Sequence, residues 1–128
     1  MKILIVDDEP IVIESCRRIL EAEGISVRRA GNAVQAKEIL NREESFDLIL
    51  TDIKMPGQDG FQLISQIRKA RPGIPILMMT GYLTPETVEK GRSGGAEGFI
   101  AKPFTPDELL QAVENTLSGK CRFTEKKE

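Results

Sequence analysis

Short runs of consecutive apolar residues recur along the chain, and this recurrence limits the fold more than any other feature. The clearest runs are residues 3–6 and residues 48–50 within a predicted strand at 47–51, and an aspartate follows each of these two strands. Continuous apolar runs of this length are typical of parallel strands that are covered on both faces. Weaker strand signals are present at residues 25–29, 75–79 and 98–101. The pattern therefore predicts five short strands.

Stretches with helical spacing separate these strands. Pro10 suits the first turn of one helix, Asn32 and Thr84 are expected to cap two others, and Thr105 begins a capping box. In chain order, the predicted core-facing residues of the five helices are Val12, Cys16, Ile19, Leu20, Ala36, Ile39, Leu40, Leu63, Ile64, Ile67, Val88, Leu109, Leu110, Val113 and Leu117. The fourth helix has only one of them and contains several glycines, so we expect a weakly packed, mobile element or a merely frayed surface helix.

Strands that alternate with helices imply an α/β protein with a parallel sheet covered on both faces. Right-handed crossovers then favour a flavodoxin-like doubly wound (βα)5 fold with strand order 2-1-3-4-5. A chain of 128 residues has room for one such domain. We expect this domain to span residues 1–118, and residues 119–128 to be a flexible tail or the start of a linker.

The composition excludes several classes of function. The chain has no histidine, which removes Ser-His-Asp and Cys-His nucleophiles and histidine-ligated zinc. A net charge of −2 argues against direct binding of nucleic acid by this chain. Two cysteines outside any C-x-x-C pair fit a reducing compartment, and no apolar run is long enough to span a membrane. A cytoplasmic protein without membrane contact is the expectation.

Polar residues follow four of the predicted strands. Asp7 and Asp8 follow the first, Asp52 the third, Thr80 the fourth and Lys102 the fifth. In open α/β sheets, ligands bind at the carboxyl ends of the strands where the strand order reverses, which here places strands one and three side by side. Three carboxylates repel each other and need a cation, and Mg²⁺ prefers oxygen ligands. With a lysine and a hydroxyl nearby, this set predicts phosphoryl transfer to an aspartate nucleophile.

Four blocks of the sequence resemble the receiver domain of two-component response regulators, in particular chemotaxis-regulator-like receivers. The blocks are Asp7-Asp8-Glu9-Pro10, Asp52-x-Lys54-Met55-Pro56-Gly57-x-Asp59-Gly60, Met79-Thr80-Gly81 and Lys102-Pro103-Phe104. The resemblance runs in order from residue 2 to about residue 118, nearly the whole chain. It implies a signalling switch and not an enzyme. Such a switch catalyses only its own phosphorylation and dephosphorylation.

The resemblance also implies a phosphorylation site and a metal site. Asp52 would accept a phosphoryl group from the phosphohistidine of a sensor histidine kinase or a phosphotransfer protein. Asp8, Asp52 and the backbone carbonyl of Lys54 would bind Mg²⁺ directly, and Asp7 would act through a metal-bound water. Lys54 lies at a position that varies among receivers and tunes hydrolysis, as does Tyr82, so the lifetime of the phosphorylated form does not follow from the resemblance.

The same resemblance implies how the signal would leave the site. Lys102, whose bond to Pro103 is cis in the family, would contact a phosphoryl oxygen. Thr80 would move to hydrogen-bond the phosphoryl group, and Phe99 would be the aromatic switch residue that turns inward. The output face would comprise the fourth helix, fifth strand and fifth helix. It would signal to an output domain or a downstream protein and promote a phosphorylation-dependent homodimer.

Several of the site residues also have a simpler structural interpretation. Asp7, Asp8 and Glu9 would also suit the N-terminus of the first helix, and the Thr80 hydroxyl would also suit a purely structural role at a strand end. Asp59 is more simply a cap of the third helix. An aspartate-nucleophile phosphohydrolase, a nucleotide or flavin binder and a receiver used only as a scaffold are the functional alternatives. A stand-alone receiver and the N-terminal part of a longer regulator are both open, and the first strand at residue 2 favours an N-terminal position over the C-terminal receiver of a hybrid kinase.

Overall fold

The computed structural model describes residues 1–42, 45–55 and 58–119, and within these ranges five strands of one sheet alternate with five helices. The strands, β1 to β5, are Lys2–Val6, Ser26–Ala30, Leu48–Asp52, Ile76–Thr80 and Gly98–Ala101. The helices, α1 to α5, are Pro10–Glu21, Ala33–Arg42, Gly60–Ala70, Pro85–Gly94 and Pro106–Ser118. Neighbouring strands are parallel in the order β2-β1-β3-β4-β5, which confirms the predicted fold class and strand order.

The two faces of the sheet carry separate apolar layers. In β1, Ile3 and Ile5 pack in the layer formed with α1 and α5, whereas Leu4 and Val6 pack in the layer formed with α2, α3 and α4. The predicted helix residues that are buried are Cys16, Leu20, Ala36, Ile39, Leu40, Leu63, Ile64, Ile67, Leu109 and Val113. Those that are half-buried are Val12, Ile19, Val88, Leu110 and Leu117.

Several buried helix positions were missed by the helical pattern, among them Ala33 on α2. Ile13 is buried on α1 beside the predicted Cys16. Thr116 is buried on α5, where its hydroxyl donates to the Ala112 carbonyl at 2.7 Å. Because that bond satisfies the hydroxyl within its own helix, a threonine can lie in the core although its residue type suggests the surface. It packs on Gly98, where a Cβ would approach the Thr116 Oγ1 to 2.1 Å.

The predicted helix starts are confirmed by side-chain caps. Asn32 accepts a hydrogen bond from the backbone N–H of Gln35 at 2.8 Å, and Thr84 accepts one from Thr87 at 3.1 Å. Thr105 and Glu108 form the predicted capping box of α5. These contacts satisfy N–H groups that the first turn of a helix leaves unpaired.

A small hairpin occupies the segment that was predicted as a loop after β3. Lys54–Met55 and Gln58–Asp59 pair antiparallel. Gly60, the first residue of α3, follows the hairpin, and its N–H donates to the carbonyl of Ile53, just after β3, at 3.1 Å. A Cβ at Gly60 would lie 2.3 Å from the Ile53 Cα, so this close approach requires glycine.

Some sequence expectations fall beyond these ranges. Residues 56 and 57 of the resembling block and residues 120–128 of the predicted tail lie outside the described residues. Within the described ranges, no helix combines the length and apolar character needed to cross a bilayer.

Candidate functional site

The ends of four strands bring the predicted site residues to one edge of the sheet. Asp7 and Asp8 follow β1, and Asp52 is the last residue of the neighbouring β3. Thr80 ends β4, and the backbone N–H of Lys102, just after β5, donates to the Thr80 carbonyl at 2.8 Å. Because all these strands are parallel, residues from distant parts of the chain meet at this edge.

Three carboxylates form the centre of the site. One oxygen from each of Asp7, Asp8 and Asp52 lies within 4.8 Å of the others. Asp7 and Asp52 are buried, whereas Asp8 is exposed. Burial raises the pKa of Asp7 above its ordinary value, although hydrogen bonds from the Glu9 backbone N–H and from Lys102 oppose this rise. The cluster therefore concentrates negative charge at a place that is partly shielded from water.

Lys102 provides the positive charge that faces this cluster. Its Nζ lies 3.0 Å from the Oδ2 of Asp7, 3.3 Å from the Oδ2 of Asp52 and 3.7 Å from the Oε1 of Glu9. Burial lowers the pKa of Lys102, because it disfavours the charged ammonium. The hydrogen bonds to Asp7 and Asp52 and the negative charges of these residues outweigh this effect, so the pKa of Lys102 is raised above its ordinary value. Lys102 is thus a fixed cation at neutral pH. The peptide bond that follows it, to Pro103, is cis.

The Asp52 carboxylate is oriented by the backbone that follows it. Its Oδ1 accepts hydrogen bonds from the N–H groups of Ile53 at 2.8 Å and Lys54 at 3.4 Å. Its Oδ2 faces Lys102. The two oxygens therefore have different environments, one held by backbone amides and one by an ammonium group.

Thr80 is buried at the end of β4, and its hydroxyl oxygen accepts a hydrogen bond from the N–H of Tyr82 at 3.0 Å. Tyr82 is 63% exposed, and its ring faces the side chain of Lys54, whose Nζ lies 4.5 Å from the ring centroid. Residues after β3 and β4 are therefore in contact above the site.

Phe99 lies on β5 and is already buried, at 9% exposure. A Cβ built on Gly91 of α4 would lie 3.2 Å from the Phe99 ring and 2.8 Å from the Met78 sulfur. The absence of a side chain at Gly91 therefore leaves the space that the Phe99 ring occupies beneath α4. Gly91 is the one buried residue of this helix, in agreement with the weak packing that its sequence predicted.

A family model for the response regulator receiver domain matches residues 3–114. The chain belongs to this family. It is thus a receiver domain of the kind found in two-component systems, in which phosphorylation by a kinase is typical.

Known relatives agree with this assignment. Transcriptional regulatory protein GlrR of Escherichia coli (strain K12) is 31% identical over 125 residues, which cover 98% of this receiver domain and 28% of GlrR. Sporulation initiation phosphotransferase F of Bacillus subtilis (strain 168) is 34% identical over 116 residues, 91% of this chain and 93% of that protein. The structure of chemotaxis protein CheY4 of Vibrio cholerae matches with a TM-score of 0.86 and 31% identity, and covers 90% of this chain and 97% of that one. The chain thus spans just over a quarter of GlrR but most of the other two.

Receiver domains typically bind Mg²⁺ in an acidic pocket, and the residues of this receiver domain fit such an ion. The cluster holds three carboxylates, and the ammonium of Lys102 lies within salt-bridge distance of two of them, Asp7 and Asp52, which leaves an excess of negative charge. Carboxylate oxygens are the ligands that a hard divalent cation prefers. Asp7, Asp8 and Asp52 are therefore the residues that could hold the metal.

Two contacts of this receiver domain were not anticipated from the sequence. Glu9 belongs to the acidic block but was not expected to approach Lys102. The Lys54–Tyr82 contact joins two residues whose positions were noted only as variable. Cys16, in contrast, is core filler as expected, and burial raises the pKa of its thiol to about 11. Such a thiol is unreactive at neutral pH.

Proposed function

We propose that this receiver domain accepts a phosphoryl group on Asp52 from the phosphohistidine of a sensor histidine kinase or phosphotransfer protein, in the presence of Mg²⁺. The observation that carries the proposal is the meeting of Asp52 with Asp7, Asp8 and Lys102 at the edge of the sheet. Phosphoryl transfer depends on positioning and charge neutralisation, and this site supplies both.

The transfer is a displacement at phosphorus. An oxygen of the Asp52 carboxylate forms the new O–P bond, the N–P bond of the phosphohistidine breaks, and its electron pair returns to the imidazole nitrogen of the donor. The donor supplies the only imidazole in the reaction, since this chain has no histidine. Lys102, 3.3 Å from Asp52, neutralises charge on the phosphoryl oxygens. When bound by Asp8, Asp52 and the Lys54 carbonyl, with Asp7 acting through water, Mg²⁺ supplies further neutralisation of that charge.

A pocket beside α1 adjoins the reaction centre at Lys102, and the surface there supports contact with a protein. Ile11 is 80% exposed, and it lines a cavity of about 370 Å³ together with Val12, Lys102 and Phe104. An exposed apolar side chain next to a charged reaction centre suits a partner that covers both. We assign this surface to the phosphohistidine donor.

The phosphorylated state signals through the face formed by α4, β5 and α5. The Thr80 hydroxyl leaves the Tyr82 N–H to bond the phosphoryl group, and Phe99 repacks beneath α4 in response. Loose packing of α4 supports this movement, because few buried contacts oppose it. The recipient is an output domain or a downstream protein, or a second copy of this domain in a phosphorylation-dependent homodimer.

The proposed receiver domain occupies most of the chain. Residues 1–118 form the receiver domain, and residues 119–128 form a tail or the start of a linker to an output domain. The greater length of GlrR supports a linker.

Incubation with acetyl phosphate tests the proposed function. Intact mass should increase by one phosphoryl group with Mg²⁺ and should not increase with a chelator. Asp52→Asn should abolish the increase. Asp59→Asn is the matched control, because Asp59 is an exposed carboxylate near the site whose Oδ1 only caps α3 at the Phe61 N–H, 3.0 Å away. Equal labelling of Asp52→Asn and the unchanged protein would show that Asp52 is not the acceptor.

A further inference from the structure

Lys54 and Tyr82, which contact each other, line a cavity beside the phosphorylation site. This cavity, about 430 Å³ in volume, lies between the segments after β3 and β4, and Ile53, Lys54, Thr80 and Tyr82 line it. Thr80 is the hydroxyl assigned to the phosphoryl group under the proposed function, and Ile53 donates to the acceptor Asp52. The cavity therefore adjoins the reaction centre.

Lys54 connects Asp52 to Tyr82. Its backbone N–H lies 3.4 Å from the Asp52 Oδ1, while its Nζ lies 4.5 Å from the Tyr82 ring centroid. Within the described ranges, no carboxylate lies within salt-bridge distance of Lys54. The Tyr82 ring is thus the partner of this ammonium group in the structure, through a cation–π contact.

Tyr82 is in turn tied to Thr80. The Tyr82 N–H donates to the Thr80 Oγ1 at 3.0 Å, so the same residue holds Lys54 with its ring and Thr80 with its backbone. While the ring contact keeps the segment after β4 in place, the Thr80 hydroxyl oxygen stays engaged with that segment. Movement of Thr80 toward Asp52 requires this hydrogen bond to break.

We propose that Lys54 and Tyr82 form a latch that phosphorylation of Asp52 opens. A phosphoryl group carries full negative charge two residues from Lys54, and an ammonium is attracted to such a charge more strongly than to the quadrupole of an exposed ring. Lys54 leaves Tyr82 for the phosphoryl group, the segment after β4 is released, and Thr80 becomes free to turn. Lys54 and Tyr82 are positioning residues. They couple phosphorylation of Asp52 to release of the Thr80 hydroxyl, because the Lys54 ammonium moves from the Tyr82 ring to the phosphoryl group. The inference rests on the proposed function.

The chain itself provides the reporter for this latch. It contains one tyrosine and no tryptophan, so tyrosine fluorescence reports on Tyr82 alone. Beryllium fluoride with Mg²⁺ is the probe, since it forms a tetrahedral adduct with a carboxylate that imitates a phosphoryl group and does not hydrolyse. Lys90→Met is the matched control for Lys54→Met, because Lys90 lines the same cavity but faces the Phe61 ring, 4.7 Å from its centroid.

The adduct should change the Tyr82 emission of the unchanged protein. Lys54→Met should already have the changed emission at rest and should lose at least half of the response, whereas Lys90→Met should behave as the unchanged protein does. Equal resting emission and equal response in Lys54→Met would overturn the latch, as would an identical effect of Lys90→Met.

Rates provide a second test with a different variant. Tyr82→Leu keeps Lys54 but removes the ring, so acetyl phosphate should phosphorylate it about two- to fivefold faster, the ratio that corresponds to one exposed cation–π contact. An unchanged rate would overturn the latch. Normal labelling of Asp52 with no latch effect refutes the latch alone, whereas absence of labelling on the unchanged protein refutes the proposed function and the latch together.

Discussion

The ammonium group of Lys102 lies 3.0 Å from a carboxylate oxygen of Asp7, a residue 95 positions earlier in the chain. Asp7 is fully buried, and only 18% of the Lys102 side chain is exposed. Removal of the Lys102 charge would leave the Asp7 carboxylate unpaired in an environment of low polarity, whereas removal of the Asp7 charge leaves Lys102 paired with Asp52 at 3.3 Å. The stability of variants that remove one of these charges therefore measures the balance between burial and ion pairing.

Asp7→Asn should stabilise the Mg²⁺-free protein at neutral pH. Burial raises the pKa of Asp7 in the folded state above the ordinary 3.8, so its contribution to stability is complete below that value and is lost as the pH rises through the folded pKa. An amide avoids the cost of a buried carboxylate and still accepts the hydrogen bond from the Glu9 N–H.

Urea unfolding in a chelator, from below the ordinary pKa of 3.8 up to neutral pH, measures this difference. The gap in midpoint between Asp7→Asn and the unchanged protein should widen as Asp7 ionises and then level off. A variant that is less stable throughout this range would show that the ion pair with Lys102 outweighs the burial of Asp7.

Mg²⁺ should raise the melting temperature of the protein, because an ion that binds only the folded state stabilises it. At a concentration one hundred times the dissociation constant the gain is about 2.7 kcal/mol. Asp8→Asn should lose most of this shift, since Asp8 supplies the exposed carboxylate of the cluster. Glu9→Gln, the neighbouring exposed acid outside the cluster, should retain it, and equal shifts in the two variants would argue against the assigned ligands.

Gly60→Ala should destabilise the protein by about 1–3 kcal/mol, the usual cost of excess volume in a packed site. The new Cβ would lie 2.3 Å from the Ile53 Cα, and its displacement would disturb the amides that orient Asp52. Denaturant unfolding and the rate of labelling by acetyl phosphate should both respond. Gly73→Ala, where no atom lies within 4 Å of the added Cβ, should change stability by less than about 0.5 kcal/mol.

Gly91→Ala and Gly94→Ala should have opposite effects, although both replace a glycine of α4. Alanine favours a helix interior over glycine by about 1 kcal/mol, so a smaller gain is expected at Gly94, the last residue of α4, where the new Cβ makes an ordinary contact at 3.7 Å with Ile64. At Gly91 it would meet Met78 at 2.8 Å and Phe99 at 3.2 Å, which displaces the Phe99 ring. Unfolding midpoints should rise for Gly94→Ala and fall for Gly91→Ala, and a rise in both would show that the ring moves aside freely.

The hairpin after β3 shows where sequence reasoning fails. Lys54–Met55 and Gln58–Asp59 are too short to leave a periodic pattern, and their pairing depends on how closely Gly60 approaches Ile53. The Lys54–Tyr82 contact was not predicted from the sequence, for a related reason. The two residues are distant in sequence, and nothing in either local segment specifies the rotamers that bring them together.

The sequence by itself determined the order of the elements and the identity of the acidic cluster. Apolar runs are local signals of buried strands, and in a parallel sheet the residue after each strand must lie at the same edge, so Asp7, Asp52 and Thr80 had to meet. Only the tertiary structure decided which oxygen of Asp52 faces Lys102, where Phe99 packs against Gly91, and which ring holds Lys54. Those choices depend on distances of a few tenths of an ångström between side chains from separate elements, and local sequence carries no record of them.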